Sequence, residues 1–75
     1  MRLADWFETS GKKAVDLARK LEVSEATISR VASGARMPGA DLIAGIESET
    51  EGQVTFRDHY DTRQGYLSAQ GASAA

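Results

Sequence analysis

Apolar residues recur along the first half of the chain with the spacing of helices that bury one side. Leu3, Trp6 and Phe7 stand at i, i+3 and i+4, and the run stops at Ser10-Gly11, which predicts a first short helix. Ala14, Leu17, Ala18 and Leu21 follow at i, i+3, i+4 and i+7, a second helix in which small and large apolar residues alternate. The period breaks at Glu22-Val23-Ser24. Ser24 is placed to cap a third helix, its hydroxyl accepting from the amides of the next turn. That helix runs to about Ser33 with Ile28, Val31 and Ala32 inward, and Gly34 stands where it would close in the left-handed conformation.

The second half is less regular. Arg36-Met37-Pro38-Gly39 reads as a loop, because Pro38 and Gly39 continue a helix poorly. Leu42, Ile43 and Ile46 mark a fourth helix over residues 40–50, closed near Gly52. Gly45 inside it costs about 1 kcal/mol relative to alanine, which points to close packing or to simple tolerance. Thr55-Phe56-Arg57-Asp58 has the spacing of a capping box, with aspartate where glutamate is usual, and Phe56 and Tyr60 stand at i, i+4. One or two turns of a fifth helix are expected there. After Gln64 the stretch GYLSAQGASAA is small and polar, and it is expected to be mobile. The fold class is therefore all-α, a compact bundle of four to five short helices over residues 1–61 with a flexible tail over 62–75.

Composition narrows the function classes. A chain of 75 residues with no cysteine has a thin core and no disulfide or thiolate metal site to reinforce it. No apolar run approaches membrane-spanning length, and MRLADWFETSGKK is too charged for a signal peptide, so no membrane contact and a cytoplasmic location are expected. No GxSxG, phosphate-binding glycine loop or HExxH occurs, so no enzyme, catalytic residue or cofactor is expected. His59 is the single histidine; the residues around it in RDHYD assemble no metal site, and a structural role is expected. The formal net charge of −2 hides an uneven distribution. From Lys12 to Arg36 the local balance is +3, and from Asp41 onward it is −4. Screening over roughly 8 Å makes charge a local property, so a basic segment retains its meaning beside an acidic one.

The second and third helices are separated by only three residues, which forces a steep crossing, near about 90–120° in helix-turn-helix units. Leu17, Ala18 and Leu21 then face Ile28 and Val31, with Val23 plugging the turn. The side left outward is Ala26, Ser29, Arg30 and Ser33, flanked by Glu25 and Thr27. A merely solvated face more often carries long lysines and glutamates. Short side chains instead let a helix enter a DNA major groove, about 12 Å wide, deeply enough to reach base edges. Glu25, Ala26, Thr27, Ser29 and Arg30 are the base-reading candidates. Arg30 would bond guanine or a phosphate; Glu25 would accept from a cytosine amine or serve the helix dipole; Ala26 and Thr27 would touch thymine methyls. Lys12, Lys13, Ser24, Ser33 and Arg36 are the phosphate-binding candidates, the lysines because a cation at a helix start opposes the macrodipole unless an anion binds there.

Residues 14–34 resemble the helix-turn-helix of the phage Cro and repressor type: Ala18 in mid-helix, Val23 in the turn, SEATISR opening the third helix and SGARMP after it. Through GQVTFRDHYD the chain is similar to short Cro-like proteins grouped with the YdaS family, so the resemblance covers residues 1–61. It implies a lambda-repressor-like DNA-binding domain in which Ser24, Glu25, Ala26, Thr27, Ser29 and Arg30 face double-stranded DNA. It further implies a homodimer on a near-palindromic operator, and a transcriptional regulator, most simply a repressor, on the nucleoid of a bacterial cell. Such proteins usually carry glycine where Glu22 stands, and a left-handed residue there costs glutamate about 1 kcal/mol or more. The alternative from a different class is an antitoxin-like module whose acidic C-terminal half engages a partner protein.

Overall fold

The stops anticipated at Gly11, Glu22, Ser24 and Gly34 are where the chain turns. A computed structural model describes residues 1–74, with side chains as far as residue 70. All of its regular elements are helices: α1 (Leu3–Ser10), α2 (Ala14–Leu21), α3 (Glu25–Ser33), α4 (Ala40–Glu49) and α5 (Phe56–Ala74). Ser24 caps α3 by accepting the Thr27 N–H at 3.1 Å. Glu22 takes up the left-handed conformation, φ 56° and ψ 42°, that ends α2. The Val23 N–H then reaches the Ala18 carbonyl at 3.0 Å, so the three-residue turn satisfies its own backbone.

The apolar stripes meet in one core. Leu3, Trp6, Leu17, Ala18, Ile28, Val31, Ile46 and Val54 are buried, with Phe7, Ala14, Leu21, Val23, Ala32 and Leu42 packed at its edge. α2 lies against α3 and α4, while α1 and α5 pack against α3. Gly45 turns out to be a close-packing position: a Cβ there would sit 2.8 Å from Leu21 Cδ2. The all-α class and the placement of Trp6 and Phe7 in and beside the core agree with the sequence reading, and the rings lie tilted, 5.5 Å apart.

Two features of the second half exceed it. Thr50 is buried, its hydroxyl donating to the Ile46 carbonyl at 2.8 Å and accepting the Val54 N–H at 3.2 Å. That side chain ties the α4–α5 turn to the core, and nothing in the local pattern announced it. The fifth helix, expected as one or two turns, is 19 residues long. The stretch after Gln64 is helical as far as Ala74, and the boundary expected at residue 61 falls inside α5; residue 75 of the expected tail lies outside the described residues. The physical reason is tertiary. Thr62 and Tyr66 pack on Gly34 and Arg63 bonds the carbonyls that follow α3, contacts that outweigh the roughly 1 kcal/mol cost of a mid-helix glycine at Gly65. At its start, Asp58 Oδ2 accepts the Thr55 N–H at 2.9 Å and the Thr55 hydroxyl at 3.1 Å. The Met1 ammonium lies 3.0 Å from the same carboxylate.

Candidate nucleic-acid interface

α3 has two distinct sides. Ile28 and Val31 are buried at 0% and 2% exposure and hold it against the core, while Ala26, Ser29, Arg30 and Ser33 all lie exposed on the opposite side. Three of these four side chains are short. The fourth, Arg30, keeps its guanidinium free of any hydrogen bond or ion pair among the described residues, and the Ser29 hydroxyl is equally free. Glu25 is exposed in the first turn, where its charge suits the positive end of the helix.

The remaining candidates on α3 differ. Thr27 is half-buried and lies off the exposed stripe, its hydroxyl 2.8 Å from Ser24 Oγ. It belongs to the cap, and Ser24 does as well. The reason is helical geometry: at about 100° per residue, Thr27 falls about 40° from Val31, whereas Ser29 falls about 160° from it. Ser33 donates its hydroxyl proton to the Arg30 carbonyl at 3.1 Å and accepts the Ala35 N–H at 3.3 Å, so its one donor is already engaged. Arg36 is exposed and its side chain is free; its own N–H bonds back to the Arg30 carbonyl at 3.3 Å, which folds the following loop onto the last turn of α3.

At the start of α2, Lys12 and Lys13 are exposed with free ammonium groups. Asp16 Oδ2 accepts the Lys13 N–H at 3.0 Å, half of a capping box, since an ammonium has no lone pair to return the bond. The carboxylate offsets part of the cost of two cations at a helix start, a contribution the sequence reading had not assigned to Asp16. Lys12 lines a shallow depression with Trp6, Asp16, Leu17, Lys20 and Glu49, so it borders α1 and the end of α4 rather than α3. Among the described residues, every lysine and arginine up to Arg36 is exposed and has no side-chain hydrogen bond or ion pair. The lysine and arginine charges of the first half are thus unpaired among the described residues.

Arg63 was not singled out by sequence, because its partners are about 28 residues away. Its Nη1 donates to the Gly34 carbonyl at 2.9 Å and the Ala35 carbonyl at 2.7 Å, placing a positive charge at the negative end of α3. Gly34 itself has φ 89°, and a Cβ there would sit 2.5 Å from the Thr62 carbonyl oxygen and 2.8 Å from Tyr66 Cβ. α5 therefore seals the end of α3 through backbone contact.

His59 lies in the core at 3% exposure, and its buried Nε2 has no hydrogen-bond partner among the described residues. Burial pushes its pKa below 6.5, a shift that the charge of Asp58 partly opposes. Among the described residues no group of three or more His, Cys, Asp or Glu side chains is placed to hold a metal ion, and no helix is long and apolar enough to cross a membrane. No family model matches this chain, and neither does any curated protein or solved structure.

Proposed function

We propose that this chain is a sequence-specific double-stranded DNA-binding protein, a transcriptional regulator of the Cro and repressor type, with α3 as its reading helix. The observation that carries the reading is the exposed stripe of α3. One unpaired arginine stands among short side chains, on the outward side of a helix whose other side is packed into the core and whose start is set by a three-residue turn after α2. A helix so decorated can approach base edges, and Arg30 is its one long donor. Lys13, Arg36 and the amides at the start of α2 supply phosphate contacts that fix register without reading sequence. Repression is the simplest consequence for a domain this small, since occupancy of an operator needs no further module. A single such module buries little surface on DNA, and a homodimer on a near-palindromic site raises affinity and selectivity together.

The test is selection of genomic fragments by the purified chain at physiological salt, followed by binding to the recovered sequence. Arg30→Ala should then cost about 1–3 kcal/mol on that sequence and relax preference at one base pair per half-site. Equal weakening on all sequences would remove Arg30 from base reading. No enrichment of any sequence would overturn the proposed function.

A further inference from the structure

The turn after α3 is held from two sides. On one, the Arg30 carbonyl accepts the Ser33 hydroxyl at 3.1 Å, the Gly34 N–H at 3.1 Å and the Arg36 N–H at 3.3 Å. On the other, Arg63 Nη1 reaches across from α5 to the Gly34 and Ala35 carbonyls at 2.9 and 2.7 Å, distances typical of charge-assisted bonds. The Arg63 guanidinium is itself fixed, 5.7 Å from the centroid of the Tyr66 ring, and Tyr66 lies against Gly34. Among the described residues, Arg63 is the one lysine or arginine whose side chain bonds backbone outside its own helix.

A residue of α5 thus governs the backbone that carries Arg36. We infer that Arg63 is a positioning residue for DNA binding: it holds Arg36 at a fixed reach from Arg30, so that a phosphate and a base edge are met in one register. The inference rests on the DNA reading above, in which Arg30 addresses a base and Arg36 the backbone. Its physical basis is entropic. Arg36 is exposed, with a free side chain, in the irregular connection between α3 and α4. A phosphate contact sets register only when its cation is presented from a fixed backbone. A connection that had to be ordered on binding would use up part of the favourable energy of that contact. Here the ordering is complete in the free protein. The inner anchor is the carbonyl of Arg30 itself, so the backbones of the two arginines are joined directly, and Arg63 closes the segment between them. Arg63 makes no contact with DNA in this role, because Nη1 is engaged by both carbonyls.

Salt dependence separates positioning from stability. Loss of a purely structural Arg63 would lower the folded fraction and leave the salt slope of binding unchanged. On the sequence recovered by selection, Arg63→Met should weaken binding roughly three- to tenfold and lower the salt slope by about 1 per site, as Arg36→Ala does. The double variant should show no further fall in slope, whereas the effects of Arg63→Met and Lys13→Ala should add. Arg63→Gln, whose shorter amide cannot span both carbonyls, carries the same cycle if Arg63→Met does not fold, and circular dichroism at the assay temperature checks each variant. In the free protein, amide relaxation should show order parameters falling below about 0.6 at residues 35–37 of the variant, while residues 26–31 stay at about 0.85. An unchanged slope, a slope that falls additively with Arg36→Ala, or a 35–37 segment as rigid as before overturns the inference. If the unmodified chain selects no sequence, the proposed function falls and this role with it. Selection that persists with additive effects removes this role alone.

Discussion

Glu22 is a β-carbon-bearing residue in the left-handed region, with no side-chain partner among the described residues to compensate. Its carbonyl and Cβ crowd each other, at a cost of about 1–2 kcal/mol that glycine would not incur. Glu22→Gly is therefore expected to stabilise the fold by about 1 kcal/mol, raising the unfolding midpoint by roughly 4–8 °C for a domain of this size. Thermal melts of the two proteins check it, and an unchanged midpoint would mean the turn is relaxed at Glu22. The break at Glu22 was readable in the sequence, where two helical periods stop and restart three residues apart; the left-handed conformation was implied only by the resemblance to proteins that carry glycine there. Arg63 was not, since a side chain that bonds distant carbonyls leaves no mark on the spacing around it.

At the level of elements, the closest junction is between α3 and α5. Gly34 meets the α5 backbone at a distance that leaves no room for a methyl group, and its φ of 89° penalises any other residue as well. The neighbouring atom is a carbonyl oxygen of a helix, which has little freedom to retreat. Gly34→Ala should lower unfolding free energy by about 2–4 kcal/mol, read from urea denaturation, through strain and separation of α5 together. A loss under about 1 kcal/mol would show that α5 moves aside freely. α1 to α4 were legible because each holds its apolar residues at helical spacing and ends at a recognisable stop. The length of α5 was not. Its glycines and serines argue locally for coil, whereas Thr62, Arg63 and Tyr66 hold it by contacts with a turn nearly thirty residues earlier. The exposed stripe of α3 followed from the same periodicity that located its core, but the diversion of Thr27 and Ser33 into local hydrogen bonds required coordinates.

For the whole molecule, the placement of His59 sets a pH response. The unfolded chain binds a proton near pH 6.5, whereas the buried imidazole resists charging until lower pH. Between those values the unfolded state holds more protons, so stability is complete above about pH 6.5 and declines as pH falls through that window. Asp58 adds a second loss at lower pH. Burial alone would raise its pKa, but hydrogen bonds from Thr55 and the Met1 ammonium prevail and hold it below 3.8, so its contribution disappears as pH drops beneath that value. Urea midpoints should fall between about pH 7 and pH 5, and His59→Leu should flatten that first decline. Persistence of the full slope in the variant would assign it to other groups.

The two carbonyls gripped by Arg63 have a mechanical corollary. The last turn of α3 cannot fray by itself, as helix ends ordinarily do, because its terminus is anchored to the flank of a much longer rod. In deuterated solvent the amides of Gly34 and Arg36 should lose their protons only when α5 swings away, in step with those of residues 62–66.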